Sequence, residues 1–231
     1  MKPKKPKVYM IGNAHIDPVW LWRWQEGYAE VRATYRSALD RIEQFDDFVF
    51  TTACAAYYKW IEDSEQEMFA EIQKAVAAGK WYIVGGWWIQ PDCNIPSGES
   101  FSRHSLYSQR YFEEKFGVKA TIGWNVDSFG HNGNLPQIYK KSGITAYIYM
   151  RPGPHEKKYP FKEGEPFIWR GVDGSEIIAY NIPRSYGFGV DGGLRRLAEE
   201  MALASDRGEF MLFYGVGNHG GGPTISSIER I

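Results

Sequence analysis

The feature that most constrains this chain is an alternation. Short apolar runs rich in β-branched and aromatic residues trade places with longer stretches whose apolar residues recur every three or four positions. Strand-type runs fall at Lys7–Ala14, Phe48–Thr52, Trp81–Gly85, Ala120–Trp124, Ala146–Tyr149 and Phe210–Tyr214. Helix-type stretches lie between them. From Tyr28 to Phe45 the residues Val31, Tyr35, Ala38, Leu39, Ile42 and Phe45 fall on one helical face. Ser64 and Glu67 have the spacing of a capping box ahead of a helix that stops at Gly79. Further helices are expected from about Ser100 to Phe116, with Ser97 or Ser100 as cap, from Leu135 to Lys141, and from Leu194 to Ala204. Phe167–Arg170 and Glu176–Tyr180, joined through Asp173-Gly174, read as a hairpin outside the repeat.

Strands that alternate with helices pair in parallel through right-handed crossovers, which leaves an α/β barrel or a doubly wound sheet. Both folds put their sites at the carboxyl ends of strands. His15, Asp17, Asp92, Asp127, Arg151, Asn218 and His219 each follow a predicted strand. A barrel gathers all of them at one mouth, so a barrel is preferred. Six strands are too few to close one comfortably, and the sequence ends as another helix starts, so an incomplete barrel is expected. Residues 1–7 read as a basic tail and 8–231 as one domain or part of one, with no internal repeat or linker.

Charge and cysteine content narrow the function. Lysine and arginine total 27 against 28 acids, which gives no electrostatic reason to bind nucleic acid or an anionic membrane. No run approaches the roughly 20 apolar residues of a membrane-spanning helix, and the cytoplasm is the expected compartment. Cys54 and Cys93 read as reduced, structural thiols. Nine tryptophans and 15 tyrosines supply packing, and also flat faces on which sugar rings stack.

Among the polar residues, His15-Ile-Asp17 is the sharpest signal, because alternate residues running out of a strand point to one side. An imidazole and a carboxylate there can serve one metal ion. Asp127 can add a second carboxylate or act as a nucleophile. Such a nitrogen and oxygen set suits zinc ahead of manganese or cobalt. His131 reads as a polar residue that holds its loop, Glu99 as a helix-end charge, and Asp92 as a ligand contact. Of Trp20, Trp22 and Trp24, only Trp20 is a candidate sugar platform, and loop packing explains all three equally well. Arg151 is either an ion-paired arginine or a group that fixes a carboxylate or sugar hydroxyls. The run Gly220–Thr224 lacks the lysine and spacing of a phosphate loop, and no Gly-x-Ser-x-Gly elbow occurs.

Four segments together, Asn13-Ala-His15-Ile-Asp17-Pro-Val-Trp20, Pro91-Asp-Cys-Asn-Ile-Pro-Ser-Gly-Glu99, Trp124-Asn-Val-Asp127-Ser-Phe-Gly-His131 and Gly217-Asn-His-Gly-Gly-Gly-Pro-Thr224, resemble the glycoside hydrolase family 38 α-mannosidases. The resemblance runs in order from Val8 onward. It implies a distorted (β/α)7 barrel, incomplete here, that acts on α-mannosides by a retaining mechanism. It also implies His15, Asp17 and Asp127 as zinc ligands, with a fourth protein ligand beyond Ile231, and Asp127 as nucleophile. Trp20, Arg151 and Tyr180 then line the mannose subsite, with Asp92, Asn218 and His219 as further substrate contacts. Many members carry an aspartate as acid/base where this chain has Asn218-His219. An amide cannot donate a catalytic proton, so that role stays open among His219, Asp92 and a carboxylate outside the sequence. The expected partner is a carbohydrate, with no nucleic acid and no membrane, and a homo-oligomer is compatible. The competing readings are a metal-dependent carbohydrate deacetylase and a sugar-binding barrel without catalysis. The five histidines, at 15, 104, 131, 155 and 219, lack the close spacing that the deacetylase reading needs.

Overall fold

The computed structural model describes residues 6–153, 156, 158, 162, 164–187, 193–205, 207–217 and 220–231. In chain order the elements are β1 (Lys7–Asn13), α1 (Trp24–Gln44), β2 (Phe50–Thr52), α2 (Ala55–Ser64), α3 (Gln66–Ala77), β3 (Trp81–Ile83), α4 (Gly98–Phe116), β4 (Ile122–Asn125), α5 (Leu135–Lys141), β5 (Ala146–Tyr149), β6 (Pro166–Arg170), β7 (Glu176–Asn181), α6 (Gly193–Ala204), β8 (Glu209–Tyr214) and α7 (Ile225–Glu229). The mixed α/β class expected from the alternation is present. The described strands form two sheets rather than one closed sheet. None of the described helices is long and apolar enough to cross a membrane.

The chain divides into two compact units, Met1–Phe50 with Ile182–Ile231, and Thr51–Asn181. In the first, β1 and β8 pair in parallel from Lys7 opposite Glu209 to Gly12 opposite Tyr214. Helix α1 buries Val31, Tyr35, Ala38 and Leu39, the stripe the periodicity marks out. It starts at Trp24, four residues before the expected Tyr28. Gly27 is the reason a helix can pass there: a Cβ at that position would lie 2.1 Å from the carbonyl oxygen of Pro18, so only glycine lets α1 seat against the loop after β1.

In the second unit, a sheet of order β4-β5-β7-β6 has β4, β5 and β7 parallel and β6 antiparallel at its edge. The hairpin is therefore not an excursion. Its second strand, β7, is an integral parallel strand beside β5, and only β6 departs from the pattern. One face of this sheet packs Tyr147, Tyr149, Ile177 and Ala179 onto Trp87, Phe101, Leu135 and Tyr139. The absence of a side chain at Gly123 makes room for α5, since a Cβ there would sit 2.7 Å from the Tyr139 ring. Trp87 donates its indole N–H to the Tyr139 hydroxyl at 3.3 Å, which satisfies the polar end of a fully buried ring.

Two local expectations need correcting. Ser64 does not begin a capping box; it ends the unpredicted helix α2, and its hydroxyl donates to the Trp60 carbonyl at 2.7 Å. Helix α3 starts instead after Glu65, which makes no side-chain cap. A serine can bond back onto its own preceding turn as readily as forward onto the next, and here the back bond prevails. By contrast α4 is capped as expected, with the Ser97 hydroxyl accepting from the Ser100 N–H and left-handed Gly117 ending the helix. Helix α5 and strand β5 have the predicted bounds. Cys54 and Cys93 are both free and buried, and burial pushes the Cys54 thiol up to about 12.

Candidate active site

In the first unit the site residues come from the loop after β1. His15 Nε2 lies 3.1 Å from Asp17 Oδ1, the same-side placement that the i, i+2 spacing predicts. His15 is buried, with its ring edge-on to Tyr186 at 5.0 Å. The Trp22 indole N–H donates to the Asp17 carbonyl at 3.0 Å and packs edge-to-face on Trp20 at 5.4 Å. Trp22 thus anchors the loop, and Trp20 is left 58% exposed, as a stacking platform must be. At the base of the loop, Asn13 is buried and donates its amide to the Tyr186 carbonyl at 2.8 Å and the Tyr214 carbonyl at 3.2 Å. The glycine-rich run is tied to α1: Gly221 N–H donates to the buried Thr34 hydroxyl at 2.7 Å. Asn218 and His219 lie outside the described residues.

In the second unit Asp127 follows β4 by two residues. Arg151 Nε donates to Asp127 Oδ1 at 2.5 Å, a charge-assisted contact that fixes the carboxylate. The guanidinium also lies over the Phe129 ring at 5.3 Å and 3.8 Å from Glu156. Arg151 is in turn held through its backbone, because His131 Nε2 contacts its carbonyl oxygen at 2.6 Å. A carbonyl only accepts, so Nε2 carries a proton, and Nδ1 lies 2.7 Å from the Tyr147 hydroxyl. Burial holds the Tyr147 phenol well above its usual range, which keeps that hydroxyl a donor. The reading of His131 as a loop holder is what this geometry describes.

Asn125, the last residue of β4, carries the other half of this scaffold. Its amide donates to the Pro91 carbonyl at 3.4 Å and the Ser128 hydroxyl at 3.1 Å, and faces Cys93 Sγ at 2.9 Å. Ser128 donates to the same Pro91 carbonyl at 3.1 Å. The segment around Asp92 and the turn bearing Asp127 are thereby joined. Asp92 itself is exposed, and its Oδ1 accepts from the N–H groups of Asn94 and Ile95 at 2.8 and 2.9 Å, so it shapes a turn. Tyr180 is buried in β7, opposite Ile148 of β5, on the face away from Tyr147 and Ala179. Glu99 sits in the first turn of α4 and pairs with Arg103 at 2.7 Å.

Sequence reading missed Phe129, Tyr186 and the strand-final asparagines. Phe129 is 73% exposed within the Asp127 turn, and it could have been noticed as an aromatic beside the candidate nucleophile. Nothing local signals Tyr186, which meets His15 from far along the chain.

Parallel strands that deliver polar residues at their carboxyl ends define an α/β domain of the kind that builds active sites from strand-end loops. The glycosyl hydrolases family 38 N-terminal domain matches residues 5–231, and the chain belongs to this family. It is 33% identical to alpha-mannosidase G of Dictyostelium discoideum and 31% identical to an alpha-mannosidase of Saccharomyces cerevisiae, each over 97% of this chain and 21% of the relative. The chain thus spans about a fifth of the length of these curated relatives. In fold it is similar to an alpha-mannosidase from Enterococcus faecalis V583, with a TM-score of 0.83 and 22% identity over 98% of this chain and 26% of the other.

Proposed function

We propose that the chain carries the metal-holding and nucleophilic part of a retaining α-mannosidase that removes terminal α-linked mannose. His15, Asp17 and Asp127 together hold one divalent ion, zinc first among the candidates. The observation that carries the reading is the chemistry of the donors: an imidazole and a carboxylate 3.1 Å apart after β1, and a second carboxylate two residues after β4. Borderline cations accept that mixture. When bound, the ion supplies a grip on two vicinal sugar hydroxyls, which an α-mannoside offers as a gauche pair at its second and third carbons.

The chain's own residues do the rest. The Asp127 carboxylate attacks the anomeric carbon as the bond to the leaving oxygen breaks, and water later releases the sugar with net retention. Arg151 fixes the plane of that carboxylate, so the attacking oxygen is presented in one orientation rather than sampled. Trp20 lies under the sugar ring, with Arg151, Tyr180, Asp92, Asn218 and His219 as the remaining substrate contacts. Two buried thiols without a disulfide suit a reducing compartment, and the cytoplasm is the proposed location.

The test is metal analysis of the purified chain together with turnover of an aryl α-mannoside. Weak zinc binding, as three protein ligands allow, lost in His15→Ala, with slow aryl release from the α- but not the β-mannoside, is the expected result. Zinc binding that His15→Ala and Asp127→Ala leave unchanged, or cleavage of the β-anomer in preference to the α-anomer, overturns the proposal.

A further inference from the structure

Three described strands, β1, β4 and β7, end on an asparagine: Asn13, Asn125 and Asn181. Each is at most 1% exposed. Each turns its amide N–H groups onto backbone carbonyls of a segment that bears or touches a residue of the proposed site. Asn13 holds the Tyr186 carbonyl, and the Tyr186 ring packs on His15. Asn125 holds the Pro91 carbonyl and the Ser128 hydroxyl, on either side of which lie Asp92 and Asp127. Asn181 holds the Met150 carbonyl at 3.0 Å, one residue before Arg151.

The shared chemistry explains the residue type. Where a strand ends, the backbone ladder runs out of N–H donors while the neighbouring chain still presents carbonyls. A carboxamide at the last position supplies two more donors: Asn13 and Asn181 reach the carbonyls at the ends of the paired strands β8 and β5, and Asn125 reaches the loop carbonyl of Pro91. Aspartate has the same shape and no donor, serine has a single donor, and glutamine is a methylene too long. The orientation is fixed, since the Pro91, Tyr186 and Met150 carbonyls can only accept. The cost is visible at Asn125 and Asn181, whose buried Oδ1 atoms have no hydrogen-bond partner among the described residues. An apolar residue would avoid that penalty but take the donor away from the Tyr186, Pro91 and Met150 carbonyls, so the carboxamide is what ties each strand end to its neighbouring segment.

We infer that Asn13, Asn125 and Asn181 are positioning residues that set His15, Asp127 and Arg151 by extending the ends of their strands. The inference deepens the proposed function and rests on it for the identity of the positioned groups. The Asn125 clamp also shields Cys93, which gives a readout that needs no turnover.

The experiment compares Asn13→Asp, Asn125→Asp, Asn181→Asp and Asn125→Ser with the parent chain, well below the melting temperature of each. A thiol reagent follows Cys93, and an aryl α-mannoside with zinc present follows kcat and KM. Cys93 is expected to react at least about tenfold faster in Asn125→Asp and unchanged in Asn181→Asp, because only the former faces the sulfur. All three aspartate variants should lose about 30- to 100-fold in kcat with KM within about threefold, the mark of a misplaced reacting group rather than weakened binding. Asn125→Ser, which keeps one donor and serves as the second variant if the aspartate form does not fold, should recover part of kcat. Folded aspartate variants with parental kcat and an unreactive Cys93 overturn the inference. A parent chain that cleaves the β-anomer in preference to the α-anomer sinks the functional reading instead, and the Cys93 rates still decide whether the Asn125 clamp exists.

Discussion

The loop after β1 and the turn after β4 both present a candidate site residue two positions beyond a buried asparagine, His15 after Asn13 and Asp127 after Asn125, yet they are built in different ways. Within the β1 loop the polar contacts of its carboxylate residue are short-range: His15 meets Asp17 two residues on, and Trp22 ties back to the Asp17 carbonyl five residues away, while Tyr186 packs on His15 from far along the chain. The β4 turn is assembled from afar. Asp127 meets Arg151 across 24 positions, His131 meets Tyr147 across 16, and Asn125 meets Pro91 across 34. A short-range loop keeps its geometry when a distant packing contact fails. A long-range turn holds its carboxylate more rigidly and loses it when any one tether is cut.

The comparison can be broken by substitution. The largest effect is expected from Asp127→Ala, which removes the proposed nucleophile and should lower aryl α-mannoside turnover by ~10⁴-fold or more. Equal turnover in this variant would remove the β4 turn from the chemistry altogether. Next comes Arg151→Ala, for which we expect a ~10²-fold loss in kcat as the carboxylate loses its fixed partner. His131→Ala should follow with a smaller loss of activity and about 1 kcal/mol of stability, because the buried Tyr147 hydroxyl and the Arg151 carbonyl each lose one partner. Urea denaturation measures it, and an unchanged midpoint would show that the long-range tether is idle. Smallest is Trp22→Phe, which deletes one N–H donor to the Asp17 carbonyl and should cost about 1 kcal/mol, with zinc affinity of the chain nearly kept. If Trp22→Phe abolished metal binding while His131→Ala did nothing, the assignment of robust and fragile regions would be reversed.

The same contrast governs what could be read from sequence. The alternation of strands and helices, the Ser97 cap, Gly117 and the bounds of α5 and β5 rest on local physics, and they are where periodicity and capping put them. The pairing of His15 with Asp17 is equally local. Helix α2 was missed because Ser64 and Glu67 match a start signal while Ser64 belongs to an end. The β7 strand was misjudged because an Asp-Gly turn announces a hairpin but does not say which of its strands enters a larger sheet. The tethers on Asp127 were illegible for a different reason: a histidine bonded to a carbonyl 20 residues away leaves no spacing rule to find. Likewise, Asn13, Asn125 and Asn181 look like ordinary turn residues until the ladder beside them is seen to continue.

The seat of Gly27 beneath Pro18 carries an evolutionary and practical corollary. Mutational tolerance around the first loop should be inverted relative to chemical prominence: conspicuous, solvent-facing Leu21 can be exchanged freely, whereas adding even one methyl at the inconspicuous position 27 would pry the helix off its support. A library meant to vary this loop should therefore randomise the exposed positions Val19 and Leu21 and leave that bare stretch of helix alone.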